Sequence, residues 1–159
     1  MDGNGRWARN NNQPRIMGHR KGMETADRVS RDCADRRIKV LTLYTFSSEN
    51  WKRPAAEVSA LMGLLGQAMT RYGRTLSEKG IRLRALGRVD ELGEGLAGAI
   101  RSVEKETASN TGMQLCLALN YGARREITEA VRDMCEDARK GALEAGSVTE
   151  DVEIGRASC

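Results

Sequence analysis

The sequence is poor in the residues that most often announce a function class. Aromatic residues make up 4%, proline occurs twice, and His19 is the single histidine in 159 residues. With so few aromatics the core must be mostly aliphatic. A Ser-His-Asp arrangement would have to run through His19, and no Gly-x-Ser-x-Gly elbow accompanies it, which argues against a hydrolase triad. Cys33, Cys116, Cys135 and Cys159 are scattered, with neither a CxxC pair nor a histidine at ligand spacing. No zinc site is therefore expected, and a reducing, cytoplasmic setting is the simplest reading. Cys116 and Cys135 sit among apolar neighbours and are expected to be small core residues. The longest uncharged apolar stretches, around Val40–Phe46 and Leu61–Leu65, fall far short of the ~20 residues that a spanning helix needs. No basic start leads into an apolar signal core, so secretion by that route is not expected.

Hydrophobic residues at 40% and charged residues at 30% are globular usage. The length suits one domain. A net charge of +4 is mild and admits an anionic partner without demanding nucleic acid.

Periodicity lays out alternating helices and strands. Met23, Ala26, Val29 and Cys33 form a stripe that predicts a helix from Gly22 to Arg36. Lys39–Phe46 reads as a strand, closed by Ser47 and Ser48. Pro54 suits the first turn of a long helix, since its missing N–H would be unpaired there anyway. Val58, Leu61, Met62, Leu65, Met69, Tyr72 and Leu76 carry that helix to about Lys79. Ile81, Leu83 and Ala85 alternate with Arg82 and Arg84 as a half-buried strand. Leu92–Thr107 reads as a helix, although Gly93, Gly95 and Gly98 each weaken it by roughly 1 kcal/mol relative to Ala. After a turn at Asn110-Thr111-Gly112, Met113, Leu115, Leu117 and Leu119 alternate as a strand ending at Asn120. Arg124–Lys140 closes as a helix with Ile127, Val131, Met134 and Ala138 on one side. The alternation predicts an α/β single domain with a largely parallel central sheet flanked by helices.

Two segments carry candidate chemistry. In Asp2-Gly3-Asn4-Gly5-Arg6-Trp7, alternating glycines let the backbone turn sharply and approach a ligand closely. A helix start following them would aim N–H groups at an anion. Arg6 adds a planar cation for phosphate oxygens, and Asp2 a hard carboxylate for Mg²⁺. A plain hairpin turn uses the same Asp-Gly and Asn-Gly pairs, and on spacing alone the two readings stand level. Arg15, His19, Arg20 and Lys21 follow as a short polar stretch; for Arg20 and Lys21 a solvated basic loop is the preferred reading. Ser47-Ser48-Glu49-Asn50-Trp51-Lys52-Arg53-Pro54 lies at the carboxyl end of the first clear strand, where open α/β sheets bind ligands. Ser48 or Asn50 taken singly could serve only as a helix cap.

These segments resemble the signature of the cis-prenyltransferases, and most closely of the bacterial undecaprenyl diphosphate synthase (isoprenyl transferase) group. The resemblance rests on Met1–Ala8, Gly18-His19, Leu41–Tyr44, Phe46–Trp51 and Arg53-Pro54. It continues through Asn110-Thr111-Gly112 and Asn120-Tyr121-Gly122 with Arg124, Glu126 and Ile127, in order, to roughly Gly141. It implies condensation of an allylic diphosphate, usually farnesyl diphosphate, with isopentenyl diphosphates to give cis double bonds, with Mg²⁺ required. By position it implies Asp2 as the essential carboxylate beside Mg²⁺, and Gly3, Asn4, Gly5 and Arg6 as the cradle of the allylic diphosphate. Arg15 and His19 would complete that pocket, and Trp7 and Trp51 would flank the substrate. Ser47, Ser48, Glu49 and Arg53 would line the site, and Asn50 would assist proton removal by positioning, an amide being a poor base. Leu61, Met62, Leu65, Ala68 and Met69 could wall a hydrocarbon tunnel, although ordinary core packing explains any one of them alone. The resemblance further implies a homodimer and contact with a membrane surface through the lipid product.

The chain departs from the pattern at both ends. The apolar strand that precedes the glycine motif in the family is absent, since Met1 directly precedes Asp2. The carboxyl-terminal block, with its Arg-Thr-Gly-Gly-Glu sequence and isopentenyl-binding residues, has no counterpart after Arg125. Residues 1–152 are expected to form a partial domain and 153–159 a tail of foreign character. Poor turnover and exposed apolar surface are expected. Two other classes compete. A nucleic-acid or acidic-partner module is suggested by the basic balance and by Arg82 and Arg84, but no recognised motif supports it. Nucleotide phosphoryl transfer is suggested by the glycines, but GxxxxGK[ST] is absent.

Overall fold

The computed structural model describes residues 2–149, the Tyr72 side chain excepted; the expected tail at 153–159, with Cys159, lies outside the described residues. The helices are α1 (Asn4–Asn10), α2 (Arg15–Asp35), α3 (Ala55–Glu78), α4 (Glu94–Glu106) and α5 (Ala123–Arg139). The strands are β1 (Val40–Ser47), β2 (Arg82–Leu86) and β3 (Gln114–Tyr121). Short 3-10 turns at Ser48–Lys52 and Val89–Leu92 follow β1 and β2. The strands form one three-stranded sheet in the order β1-β3-β2, with β2 parallel to β3 and Leu83 opposite Leu115. The α/β expectation is met, and the chain divides into two compact units, residues 1–120 and residues from 121 onward.

In the first unit, α2 begins at Arg15 rather than at Gly22. Pro14 stands just before it at φ −56°, the value its ring imposes, and Met17 N–H donates to the Pro14 carbonyl. Arg15, His19, Arg20 and Lys21 are therefore helical, not a basic loop; Arg15 and His19, one turn apart, share a face. The buried positions of α2 are Gly18 and Ser30, whereas Val29, expected inside, is exposed. Ser30 meets burial by donating its hydroxyl to the Ala26 carbonyl, 2.8 Å away. The long helix α3 follows its predicted stripe, with Val58, Leu65, Met69 and Leu76 all in the core. It ends where Gly80 turns left-handed at φ 63°. There Gly80 N–H donates to Ser77 O and Ile81 N–H to Leu76 O, the paired bonds of a Schellman stop.

β2 alternates as predicted, with Leu83 buried between exposed Arg82 and Arg84. β3 does not alternate. Residues 115–120 are all buried, because the strand lies at the centre of the sheet and is covered on both faces. Cys116 is buried there as expected.

In the second unit, the predicted stripe of α5 faces the wrong way. Ile127 and Val131 are exposed and Ala138 is exposed with them, while Glu126 and Ala130 are the buried positions. Helical periodicity marked an apolar face, but the buried one is turned by a single residue and carries a carboxylate. Cys135 is exposed, not a core residue.

Candidate functional site

The chain start, α2 and the junction from β1 into α3 build the site within residues 1–120. Gly3 takes φ 87°, a left-handed conformation that side chains disfavour, and so bends Asp2 back over α1. The Asp2 carboxylate accepts from Gly3 N–H at 2.6 Å and lies 3.4 Å from Arg6 Nη2. Its side chain is nonetheless 97% exposed.

The helix α2 gives α1 its seat. A Cβ at Gly18 would stand 2.8 Å from the Asn4 carbonyl carbon, and closer still to its oxygen. A Cβ at Gly22 would stand 2.6 Å from Asn4 Oδ1. At Gly18 the obstacle is Asn4 backbone, so only a glycine there lets α1 lie in this groove, whereas at Gly22 it is the Asn4 side-chain amide; the first contact is the physical content of the Gly18-His19 pair. His19, one residue along, reaches the Asn4 amide at 3.5 Å with Nδ1 and Glu57 Oε1 at 3.3 Å with Nε2. A carboxylate can only accept, so Nε2 carries the proton. Burial is the main force holding the His19 pKa below its usual 6.5; Glu57 pulls it upward, and Arg53 and Arg15 push it further down. The neutral imidazole follows.

At the carboxyl end of β1, Ser47 and Asn50 cap each other. Ser47 Oγ accepts from Glu49 N–H, and Asn50 Oδ1 accepts from Ser47 N–H at 3.1 Å. The cap reading and the site reading therefore coexist at Asn50, which also faces the cavity described next. Trp51 packs edge-on to Phe46, ring centroids 5.3 Å apart, and donates its indole N–H to Asn120 Oδ1 at 2.8 Å. Asn120 is fully buried at φ 49° and donates its amide to Glu91 Oε2 and the Arg88 carbonyl.

These elements surround a cavity of about 340 Å³. Asp2, Asn4, His19, Ser47, Asn50 and Arg53 line it with polar atoms, and Met23, Phe46, Leu61, Met62, Leu64 and Leu65 line it with hydrocarbon. A smaller apolar space of about 80 Å³ shares Met23, Thr45 and Leu65 with it and continues past Ala68 and Met69 toward Leu117. Gly3, Gly5, Arg6 and Arg15 line a shallower hollow on the other side of Asp2. Trp7 and Trp51 are exposed, and neither they nor Ser48 and Glu49 line the cavity or the hollow. Glu57 and Leu64 were not singled out in the sequence, and Asn120 entered there only as a strand end and as part of the Asn120-Tyr121-Gly122 landmark, with no role of its own. Glu57 looks like an ordinary acidic residue in a helix's first turn, where the dipole favours it. Asn120 carried the stronger signal, a polar residue closing an apolar strand.

Cationic and amide donors at one end and aliphatic walls at the other suit a ligand with a polyanionic head and a hydrocarbon tail. Comparison with known proteins gives the family. A family model described as "Putative undecaprenyl diphosphate synthase" matches residues 1–156. The isoprenyl transferase of Heliobacterium mobile is 45% identical over 150 residues, covering 94% of this chain and 58% of that protein. The farnesyl-diphosphate-specific ditrans,polycis-undecaprenyl-diphosphate synthase of Micrococcus luteus is 41% identical, covering 94% of this chain and 60% of that protein. Lavandulyl diphosphate synthase from Lavandula x intermedia, solved with dimethylallyl diphosphate, superposes with a TM-score of 0.94 at 27% identity. That match covers 99% of this chain and 68% of the solved one. A probable undecaprenyl diphosphate synthase from Campylobacter jejuni gives a TM-score of 0.73 at 29% identity, covering 86% and 62%. The chain thus spans about 60% of the length of the curated relatives it matches.

Proposed function

The chain belongs to the undecaprenyl diphosphate synthase family of cis-prenyltransferases, and from that premise we propose that its cavity binds an allylic diphosphate of the farnesyl type for condensation with isopentenyl diphosphate. The observation that carries this reading is the amphiphilic cavity, with Asp2, Asn4, His19 and Arg53 on its polar side and Leu61, Met62, Leu64 and Leu65 beyond. Each methylene moved from water to those walls contributes about 0.8 kcal/mol. The walls that the sequence suggested as a tunnel therefore supply affinity for the growing chain.

In the reaction, the allylic C–O bond breaks and its electron pair leaves on the diphosphate. The isopentenyl double bond attacks the allylic carbon, and a proton is lost from the adjacent isopentenyl carbon. Arg53, and Arg6 and Arg15 in the neighbouring hollow, are the cations that stabilise the negative charge as it builds on the leaving group. Neutral His19 holds Asn4 against that region and adds no proton of its own. Asn50 spends its carbonyl on Ser47 N–H, so it positions the isopentenyl unit rather than acting as a base; a diphosphate oxygen takes the proton.

Asp2 is the residue that would hold Mg²⁺. Its carboxylate stands almost wholly in solvent at the cavity edge, and Mg²⁺ commonly takes one or two protein carboxylates and completes its shell with phosphate oxygens and water. The lone carboxylate fits that habit. Bound there, the ion supplies charge neutralisation of the diphosphate.

A homodimer, a cytoplasmic setting and contact with a membrane surface through the lipid product belong to the same proposal. Cys33, Cys116 and Cys135 are free thiols, which suits a reducing compartment. No described helix is long and apolar enough to cross a membrane. The test is incubation of the purified chain with farnesyl diphosphate, radiolabelled isopentenyl diphosphate and Mg²⁺, alongside a calorimetric titration with farnesyl thiodiphosphate. Saturable binding with slow turnover is expected, and no binding at millimolar ligand would refute the reading.

A further inference from the structure

Glu57 holds three nitrogen donors in the first unit. A single oxygen, Oε1, meets Arg53 Nη1 at 3.1 Å, Arg15 Nε at 3.3 Å and His19 Nε2 at 3.3 Å. Its side chain is only 14% exposed. The three partners come from two different elements, the start of α2 and the segment leading into α3. Arg53 and His19 line the cavity, Arg15 lines the hollow beyond Asp2, and Glu57 itself lines neither.

We infer that Glu57 is a positioning residue that gathers Arg15, Arg53 and His19 into one array before a diphosphate arrives. The inference rests on the diphosphate reading above and adds a residue to it. Two guanidinium groups brought this close repel each other, and without a counter-charge the more exposed one swings to solvent. A single carboxylate oxygen shared three ways holds each donor loosely. Charge-assisted N–H···O bonds at full strength run at about 2.7–2.9 Å, whereas all three contacts here exceed 3.0 Å. Loose sharing fixes direction without neutralising either cation. An incoming diphosphate, with several charges and many acceptor atoms, can draw Arg15 and Arg53 onto itself while His19 stays on Glu57 and keeps Asn4 in place. The array is preorganised, so less ordering accompanies binding.

The experiment compares the parent chain with Glu57→Gln, Glu57→Asp, Arg53→Gln and the Glu57→Gln/Arg53→Gln double variant. Inorganic pyrophosphate with Mg²⁺ is the calorimetric probe, and thermal unfolding is followed throughout. His19, as the only histidine, gives one unobscured imidazole NMR titration without any ligand. Positioning predicts at least a roughly tenfold loss of pyrophosphate affinity in Glu57→Gln with cooperative unfolding retained, and partial rescue by Glu57→Asp. The Arg53→Gln loss should shrink when Glu57 is already Gln, because the two act as a unit. The His19 titration should move toward lower pH in Glu57→Gln, since Glu57 supplies the upward pull. Unchanged or tighter pyrophosphate binding in Glu57→Gln, or an unmoved His19 titration, overturns the inference while leaving the diphosphate site standing. A parent chain that does not bind pyrophosphate, with the His19 titration still displaced by Glu57→Gln, refutes the diphosphate reading and the inference with it.

Discussion

Substituting Gly18 by Ala puts one methyl group into the tightest backbone approach of the site. The new Cβ would stand 2.8 Å from the Asn4 carbonyl carbon and 3.2 Å from Ala8 Cβ. Carbon atoms rest at about 3.5–4.0 Å, so Asn4 must retreat by roughly 1 Å. The obstacle is backbone rather than a side-chain tip, and no rotamer change relieves it. Ala8 is buried against the same helix, so α1 moves as a piece and carries Asp2 and Gly3 with it. Overpacking of this kind costs about 1–3 kcal/mol. The better helix propensity of Ala returns about 1 kcal/mol, which leaves a net loss of about 0–2 kcal/mol. Displacing a site by about 1 Å weakens function far more than that stability change suggests, by up to about 100-fold in rate. Calorimetric titration with farnesyl thiodiphosphate and Mg²⁺, beside thermal unfolding, checks both terms. Binding should fall by at least about tenfold, with a small drop in Tm. Gly63→Ala is the control: nothing lies within 4 Å of a Cβ there, and it should raise stability by up to about 1 kcal/mol and leave binding alone. If Gly18→Ala matched the control in both respects, the packing argument for the Gly18-His19 pair would be wrong.

Three further predictions follow from the same contacts. His19 has a folded-state pKa below 6.5, so the unfolded chain binds the extra proton first as pH falls; its contribution is present above about pH 6.5 and is lost on acidification. Urea unfolding between pH 7.5 and 5 should show that loss, and His19→Gln should flatten it. Asn120→Ala removes the partner of the Trp51 indole and of Arg88 O; a loss of about 1–3 kcal/mol and a red-shifted Trp51 emission should follow. Thr107→Val keeps the shape of a fully buried residue but strips the acceptor of Leu83 N–H at 3.0 Å, and denaturant unfolding should register about 1–3 kcal/mol.

What could be read from the sequence divides along physical lines. The stripe of α3 was legible because its apolar residues recur over many turns and one side alone is buried. β2 was legible because it alternates. β3 was legible as a strand ending near Asn120, but not as one buried on both sides, because a central strand covered on both faces hides the residues between the alternating leucines as well. The start of α2 was missed because Arg15, His19, Arg20 and Lys21 carry no apolar period, and only Pro14 marks the boundary. On α5 the amphipathic pattern was real, yet Glu126 and Ala130 are buried in place of Ile127 and Val131. Of the candidate site residues read from the sequence, Asp2, Asn4, His19, Ser47, Asn50 and Arg53 line one cavity. The tryptophans instead point outward or hold the frame. Glu57 escaped notice because its role depends on contacts between α2 and α3, which no local pattern encodes.

On the proposed reading, one amphiphilic cavity takes a diphosphate head at Asp2 and a hydrocarbon tail along α3. The most direct test of that reading is a titration of farnesyl thiodiphosphate into the parent chain, Asp2→Ala and Leu65→Trp, each with and without Mg²⁺. Tight, Mg²⁺-enhanced binding to the parent, loss of the enhancement in Asp2→Ala, and weakened binding in Leu65→Trp at either Mg²⁺ level are expected. Binding that is indifferent to both substitutions would contradict the reading.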